Sequence, residues 1–228
     1  MIVAVHQPQY MPWLGYFDKI ARADRFVMLD TVQYKKNEFQ NRNKIKTAQG
    51  WQWLTVPVKY KFPMTIDQVP INNDTNWRHK HIQALISNYA KAPYFSDYRE
   101  NLQKIFDTEW SNLTDINRAS INLILQTFNI TTPIDDAKTW NLSQDPTGRL
   151  VDICKHLNAD TYLSGAGGKD YLDLNQFERA GIQVAFQHFD HPTYAQPFGD
   201  FQPFMAAIDL LFNCGPNSFN ALMESYPK

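Results

Sequence analysis

Short apolar runs joined by a helical spacing open the chain. Ile2 to Val5 is an uninterrupted apolar run, which is typical of a central strand buried on both faces. Leu14, Phe17 and Ile20 follow with helical spacing, and Phe26 to Leu29 forms a second apolar run. A strand, a helix and a strand within about thirty residues form a βαβ unit, so we expect a sheet that is parallel at its start.

The middle of the chain is predicted to be helical, and the last third returns to alternating strands and helices. The predicted helices are Trp77 to Pro93, Phe95 to Phe106, Leu113 to Phe128, Thr147 to Leu157, 171 to 180 and Pro203 to Phe212. The further predicted strands are Trp51 to Val58, Thr139 to Leu142, Asp160 to Ser164 and Val184 to Phe189. We expect an α/β fold whose mainly parallel sheet lies in a three-layer, Rossmann-like arrangement. A single domain over residues 1–228, with a helical insert at about 75–130, is the simplest description.

Composition narrows the class of protein. The net charge is -1, from 22 basic and 23 acidic residues, so the chain lacks the broad positive field of nucleic-acid-binding proteins. Cys154 and Cys214 lie in or beside apolar runs, which favours reduced, buried thiols. No apolar run is long enough for a membrane span, and no basic and apolar leader opens the chain. We expect a cytoplasmic protein, with a homo-oligomer left open.

The loop after the first strand carries an unusual set of polar and aromatic residues, in which His6, Gln7, Tyr10, Trp13 and Gly15 are the candidate ligand contacts. Ligands of open α/β sheets bind beyond the carboxyl ends of the strands. The helix that follows would present unpaired N–H groups to a phosphate, and His6 would donate a proton or contact a second phosphate. The alternative is a rigid turn whose aromatic residues belong to the core.

A basic segment follows the second strand, which ends at Asp30. Residues 33–47 contain five cations and a single acid, Glu38. Lysine and arginine neutralise phosphate while amides bind sugar hydroxyls, so the segment suits a nucleotide sugar. The candidate ligand contacts here are Lys35, Lys36, Asn37, Arg42, Asn43 and Lys44. A solvated loop is the alternative interpretation.

A glycine-rich turn follows the strand that ends at Ser164, and Ser164 is itself a candidate ligand contact. Its glycines, Gly165, Gly167 and Gly168, allow close approach of a ligand to backbone N–H groups. Lys169 is a candidate for binding phosphate or carboxylate, and Asp170 for binding a hydroxyl or an amine. The spacing is not that of a P-loop, and a tight structural turn is the alternative.

The sequence His188-Phe189-Asp190-His191-Pro192 places two imidazoles and a carboxylate within four residues. Neighbouring loop residues rarely converge on one ion, so we predict no metal site. His191 is a candidate acid or base, and a hydrogen-bonded structural turn is equally compatible with the pattern. No nucleophile elbow surrounds Ser164, and neither cysteine has an electropositive sequence context, which disfavours nucleophilic hydrolysis.

The run HQPQYMPWLGYFDKIARADRFVMLDTVQYKKNEFQNRNKIKT, continued by YLSGAGGKDYLD, GIQV, HPTY and IDLLFNCG, resembles the WbqC-like protein family of bacteria. The resemblance covers nearly the whole chain. It implies a role in surface-polysaccharide and modified-sugar biosynthesis, because members occur with genes of those pathways. It does not imply a particular reaction.

A looser similarity links the first loop to the adenylyl-transferring members of the HIGH-motif α/β superfamily. Pantothenate synthetase belongs to that superfamily, and its Gly-x-Lys-Asp-Tyr segment resembles Gly168-Lys169-Asp170-Tyr171. The resemblance implies phosphate contacts from the first loop. The chain has Gln9 where that superfamily carries its second histidine.

These observations predict a transferase or ligase that forms an amide on a nucleotide-linked amino sugar or a related amine. Activation of a carboxylate by ATP with Mg²⁺ is one route, and the cofactor is otherwise open. The candidate catalytic residues are His6, Asp30, Lys169, Asp170 and His191. The alternatives are a glycosyltransferase-like enzyme that uses a nucleotide sugar directly, and a non-catalytic partner of a glycan-pathway enzyme.

Overall fold

Seven strands and eight helices are present in residues 1–224, the part of the chain that this computed structural model describes. The strands are β1 (Ile2–His6), β2 (Arg25–Met28), β3 (Arg42–Thr47), β4 (Gly50–Thr55), β5 (Ile134–Asp136), β6 (Thr161–Ser164) and β7 (Gln183–Phe186). The helices are α1 (Leu14–Ala21), α2 (Trp77–Tyr89), α3 (Phe95–Asp107), α4 (Leu113–Thr127), α5 (Pro146–His156), α6 (Leu174–Arg179), α7 (Ile208–Cys214) and α8 (Ser218–Met223). Short 3-10 turns lie at Ile66–Gln68, Ala166–Asp170 and Gly215–Asn217.

Five strands form one parallel sheet in the order β5-β2-β1-β6-β7. Counted along the chain these are the third, second, first, fourth and fifth strands of the sheet, an order shared with doubly wound nucleotide-binding sheets. The order reverses between β1 and β6, where Ala4 pairs with Leu163. Such a reversal opens a crevice at the carboxyl ends of the strands. The expected α/β fold with a mainly parallel sheet is therefore confirmed, whereas a Rossmann-like or HIGH-superfamily arrangement stays a prediction.

The buried side chains form two clusters, one on each face of the sheet. Ala4 of β1 belongs to the larger cluster together with Phe17 of α1 and residues of α4 and α7. Val5 belongs to the other cluster, together with Ile153 of α5 and Phe177 of α6. Because successive side chains of a strand point to opposite faces, the apolar run of β1 supplies both clusters. Helices therefore cover both faces of the sheet.

The basic segment is not one loop. Its second half is β3, which pairs antiparallel with β4 as a separate two-stranded sheet, with Ile45 opposite Gln52. Lys46 is buried, and its ammonium group donates to the backbone carbonyl of Asp200. This strand was not predicted from the sequence, because Ile45 is the single apolar residue of RNKIKT. Hydrophobic alternation is invisible in such a strand.

The predicted helices of the middle region agree with α2, α3 and α4 to within a few residues. The strand predicted at Thr139 to Leu142 is wrong, because β5 lies earlier and pairs in parallel with β2. Asp135 of this edge strand forms an ion pair with Arg25, so charge hides the strand from a hydrophobic pattern. Trp140 instead stacks on the ring of His156. Within residues 1–224 no helix has both the length and the apolar composition needed to cross a membrane.

Two later helices begin after their predicted first residues. Asp173 accepts a hydrogen bond from the backbone N–H of Asn175, and this cap starts α6 at Leu174. Phe204 has a φ of +61°, in the left-handed region that a helix does not tolerate, so α7 starts only at Ile208. Gly181 follows α6 with a φ of +71°, the left-handed conformation that a glycine directly after a helix commonly adopts.

Candidate functional site

A cavity of about 650 Å³ lies at the carboxyl ends of β1, β2 and β6. The loops after these three strands meet there, at the reversal of the strand order. The lining residues are Val5, His6, Gln7, Lys19, Leu29, Val32, Gln33, Lys35, Pro146, Arg149, Leu150, Tyr162, Gly165, Gly167, Gly168 and Tyr171. Of the residues predicted from sequence, the cavity brings together His6, Gln7, Lys35, Gly165, Gly167 and Gly168.

The charge of this cavity is one-sided. Lys19, Lys35 and Arg149 line it, and no Asp or Glu does among the described residues. None of the three cations forms an ion pair within residues 1–224. The Arg149 guanidinium donates to the backbone carbonyls of Ser143 and Gln144 at 3.1 and 3.2 Å. Cations that face one cavity without acidic partners favour an anionic ligand.

His6 holds a defined tautomer at the end of β1. Its Nδ1 lies 2.9 Å from the carbonyl oxygen of Gln7, and because a carbonyl only accepts, Nδ1 carries the proton. Burial and the charge of Lys19 lower the pKa of His6 to about 4, although the bond to Gln7 opposes the shift. At neutral pH the free Nε2 therefore carries a lone pair. The geometry favours His6 as a proton acceptor over the expected proton donor.

Lys19 of α1 is a buried lysine without a carboxylate partner in the described chain. It is 4% exposed, and its Nζ donates to the carbonyl oxygen of Val5 at 2.9 Å. The neighbouring Asp18 is occupied elsewhere, by Arg22 at 2.7 Å and Gln187 at 2.6 Å. Burial lowers the pKa of Lys19 to about 7. Lys19 and His6 thus lie beside the same cavity, and no carboxylate compensates the positive charge of the Lys19 ammonium group within the described chain.

The glycine-rich turn supplies the wall on the β6 side. The N–H of Gly168 donates to the carbonyl oxygen of Gly165 at 2.9 Å, which forms the 3-10 turn Ala166–Asp170. A Cβ at position 168 would lie 2.0 Å from Oγ of the buried Ser164, so this position requires glycine. At Gly165 and Gly167 a Cβ would meet nothing within 4 Å. Backbone is therefore accessible to a ligand there, as the sequence analysis expected of these glycines.

The first turn of α5, rather than that of α1, faces the cavity. Pro146 and Arg149 both line it, whereas no residue between 8 and 18 does. Asp145 caps α5 by accepting from the N–H of Gly148 at 2.6 Å. The expected phosphate site at the start of α1 therefore finds no support. The loop after β1 turns away, since the N–H of Met11 is bound by Ser120 of α4.

Comparison with known proteins identifies the family. The model of the WbqC-like protein family matches residues 7–221. The chain belongs to the WbqC-like protein family. A Mycobacterium tuberculosis protein, "Uncharacterized protein Rv1507c", is 37% identical over 217 residues, which cover 93% of this chain and 94% of that protein. No solved structure matches the chain.

Three predicted contacts of the first loop lie outside the cavity of this WbqC-like chain. Tyr10 is fully buried, and its hydroxyl is bonded to His81 of α2. The Trp13 ring packs against Phe189 and covers Gly15, where a Cβ would lie 2.2 Å from the indole. These residues build the core that supports the loop.

Five of the six predicted contacts in the basic segment lie outside the cavity, and three of them have other partners. The guanidinium of Arg42 lies 4.2 Å from the ring centre of Trp53, and the Lys44 ammonium lies 4.4 Å from that of Trp51. Asn43 is buried and donates to the carbonyl of Met11 at 2.6 Å. Lys36 and Asn37 are exposed and do not line the cavity. Pairing into the hairpin explains this outcome, since it turns alternate side chains onto the faces of β3.

Ser164 ends β6 as predicted, whereas β2 ends at Met28, two residues before Asp30, and neither Asp30 nor Ser164 lines the cavity. Asp30 is 1% exposed, and its Oδ2 lies 3.3 Å from Nζ of Lys138 and 3.6 Å from the guanidinium of Arg118. Burial raises the pKa of Asp30, and Lys138 opposes the shift. Its neighbour Leu29 lines the cavity instead, because adjacent side chains alternate. Ser164 lies behind the glycine turn.

The remaining predicted catalytic residues lie outside the cavity as well. Lys169 and Asp170 are exposed on the turn, and the Lys169 ammonium lies 5.3 Å from the ring centre of Phe186. His191 bonds the carbonyl of Pro192 through Nδ1 at 2.8 Å, and burial lowers its pKa. Four aromatic rings surround it, those of Phe189, Tyr194, Phe201 and Phe204. Among the described residues no group of three His, Cys, Asp or Glu side chains could hold a metal ion.

Sequence reasoning missed Lys19, Arg149 and Tyr171. Lys19 lies on a short helix whose residues 14–20 are all buried, so it does not occupy a solvent-facing stripe. The Asp145-Pro146 pair is a helix-start signal and could have identified the first turn that carries Arg149. Tyr171 directly follows the glycine turn, a position from which its ring can pack against a ligand.

Proposed function

We propose that this protein is a transferase or ligase that binds a phosphate-bearing small molecule in the His6 cavity. The observation that carries the proposal is the convergence of Lys19, Lys35 and Arg149 around a neutral imidazole, with no acid lining the cavity among residues 1–224. A non-catalytic binding protein needs the cations but has no use for a free Nε2. The combination therefore favours transfer chemistry.

The reaction that fits these groups best is amide formation on a nucleotide-linked amino sugar or a related amine. The amine nitrogen attacks the carbonyl carbon of an activated carboxylate, and the C–N bond forms as the bond to a phosphate leaving group breaks. Nε2 of His6 accepts the proton that the nitrogen loses. The cations stabilise the charge that develops on the departing phosphate. ATP is one source of activation and would bring Mg²⁺ on its own phosphates.

The assignment to bacterial surface-polysaccharide or modified-sugar biosynthesis rests on family membership and on the pathways that it implies. The size of the cavity is compatible with this class, since small-molecule sites commonly measure about 300–1,000 Å³. Apolar walls from Val5, Leu29 and Leu150 provide a surface for a base or a sugar ring. Oε1 of Gln7 accepts from Gln40 and Nε2 of Gln33 donates to the carbonyl of Met64. Nε2 of Gln7 and Oε1 of Gln33 are the amide atoms left for hydroxyl groups of a ligand.

A thermal-shift panel of ATP, UDP-sugars, dTDP-sugars, amino acids and acyl-CoAs tests the proposal. We expect a nucleotide to raise the melting temperature of the wild type. Lys35→Ala and Arg149→Ala should each need about tenfold more nucleotide for the same increase. Lys44→Ala is the matched control, because its ammonium lies over Trp51 outside the cavity. Stabilisation by nucleotide sugars without ATP consumption would favour direct sugar transfer. A panel without any hit would contradict the proposal.

A further inference from the structure

Lys19 differs from the other cavity residues because none of its contacts within the fold requires a positive charge. Its one hydrogen bond among the described residues goes to a backbone carbonyl, that of Val5. A buried ammonium group without a carboxylate is unfavourable, and proteins rarely retain one without a use. The nearest acid along the helix, Asp18, is engaged by Arg22 and Gln187.

The groups that face Lys19 across the cavity are neutral or positive. His6 lies beside it at the end of β1, Lys35 comes from the loop after β2, and Arg149 comes from the first turn of α5. The titratable rings of Tyr162 and Tyr171 complete this set. Burial raises the pKa of both tyrosines, so both remain neutral phenols at physiological pH. No neighbour within residues 1–224 therefore supplies the counter-charge.

We propose that the ligand itself is the ion-pair partner of Lys19, and that its anionic group draws one proton from solvent onto the Lys19 amine as it binds. This inference rests on the proposed function, since it requires an anion in the His6 cavity. The step is a protonation, in which the –NH₂ group accepts H⁺ from solvent and becomes –NH₃⁺ beside the anion. Binding would then be coupled to pH through Lys19, while His6 keeps its free Nε2 for chemistry.

The direction of the coupling follows from the burial of Lys19. With its pKa at about 7, the amine is largely uncharged at pH 8 in the free protein. A dianion at hydrogen-bond distance favours the charged form and returns the pKa toward that of an ordinary lysine. At pH 8 the uptake should therefore approach about one proton for each ligand bound.

Sulfate is a suitable probe because it carries two charges and does not titrate between pH 6 and 10. Protein labelled with ¹³C at the lysine ε-carbon is titrated with pH, with sodium sulfate or with sodium chloride at matched ionic strength. We expect one lysine signal, absent from Lys19→Arg, with a midpoint at about pH 7 in chloride. Bound sulfate should raise this midpoint by more than about one pH unit.

Three variants distinguish the proton uptake that accompanies binding from the contribution of a positive charge to affinity. Lys19→Met should weaken sulfate binding about tenfold and abolish the coupled uptake, because it removes the cation. Lys19→Arg should retain binding at pH 8 without uptake, because arginine is always protonated. Lys35→Met is the matched control, and it should weaken sulfate binding while the Lys19 signal keeps its midpoint at about pH 7 in chloride.

The amide signals of Gly167 and Gly168 report binding independently of Lys19. If they shift with sulfate while the lysine midpoint does not move, the inference about Lys19 is wrong and the anion-binding cavity stands. A midpoint near that of an ordinary lysine in chloride would overturn the inference in the same way. If neither the glycine signals nor the lysine signal of the wild type responds to sulfate, the proposed function fails together with the inference.

Discussion

Tyr10 donates its hydroxyl hydrogen to Nδ1 of His81, at 2.9 Å, and so fixes the loop after β1 to helix α2. The direction of this bond follows from the other ring nitrogen. Nε2 of His81 lies 3.2 Å from the carbonyl oxygen of Thr55, which can only accept, so Nε2 carries the proton. The pair joins three segments of the chain around one neutral imidazole, away from the residues that line the His6 cavity.

Tyr10→Phe should destabilise the fold and leave ligand binding unchanged. The substitution leaves a buried nitrogen of His81 without a donor, which costs about 1–3 kcal/mol of the free energy of unfolding. Urea unfolding of the wild type and the variant measures this loss. Tyr98→Phe is the control, because that half-buried hydroxyl makes no hydrogen bond among residues 1–224, and its change should stay within about 0.5 kcal/mol. Weaker ligand binding by Tyr10→Phe at unchanged stability would restore Tyr10 to the site.

The stability of the protein should fall as the pH decreases from about 6.5 to 4. Burial lowers the pKa values of His6 and His81 to about 4, whereas both titrate near 6.5 in the unfolded chain. Between these values the unfolded state binds more protons, so acid favours unfolding. We expect the stability advantage of the wild type over His81→Gln to narrow across this interval in urea titrations. A constant difference between the two proteins would contradict the assignment of a neutral His81.

Lys19→Met should stabilise the protein at pH 7, and this gain should vanish near pH 10. The pKa of Lys19 lies at about 7 in the fold and near 10.4 in the unfolded chain. Between these two pKa values the folded state binds fewer protons than the unfolded state. The free energy of unfolding therefore rises with pH. At pH 7 the gain should be about 3 kcal/mol, after allowance of about 1 kcal/mol for the lost hydrogen bond to Val5. Urea midpoints at both pH values measure it, with the exposed Lys91→Met as the matched control.

Gly168→Ala should distort the turn beside the cavity, whereas Gly167→Ala should be tolerated. A Cβ at position 168 would lie 2.0 Å from Oγ of Ser164, and at position 167 it would meet nothing within 4 Å. Overpacking of this kind costs about 1–3 kcal/mol. Calorimetric melting and the binding of a nucleotide identified in the thermal-shift panel measure both consequences.

A compensating substitution tests the cause of that effect. Ser164→Ala removes the hydroxyl oxygen, so the double variant with Gly168→Ala should recover most of the lost stability. The remaining neighbours, Cδ1 of Leu172 and Cβ of Ser164, lie 3.1 and 3.2 Å from the added methyl group, distances that a small adjustment can accommodate. If the double variant is no more stable than Gly168→Ala alone, the contact with Ser164 is not the reason for the glycine. The backbone conformation at position 168 would then be the reason.

The order of strands and helices could be predicted from the sequence wherever hydrophobic periodicity is strong. The apolar run Ile2 to Val5 of β1 and the periodic α4 are examples, since burial on the sheet or in the core determines both patterns. The polar strands were not predictable in this way. The RNKIKT sequence of β3 and the IDD sequence of β5 are held by pairing and by ion pairs such as Arg25 with Asp135.

The candidate site was predictable in its location and only in part in its residues. A histidine at the end of β1 and glycines at the end of β6 follow from the rule that places ligands at the carboxyl ends of strands. Lys19 and Arg149 reach the same cavity from helices, and a helix register does not reveal which turn meets a strand end. Tyr10 is the opposite case, a predicted site residue that lies in the core. Its hydroxyl is bonded to His81, 71 residues away in sequence, and this partner could not be predicted from the sequence.

The indole of Trp13 lies directly over Gly15, and a methyl group there would lie 2.2 Å from the ring. The two positions share one volume, which a single large ring or two smaller side chains can fill. Homologous chains that carry alanine or serine at the position of Gly15 should therefore have lost the tryptophan two residues earlier. This pairwise dependence should be visible as correlated variation between the two positions in an alignment of related proteins.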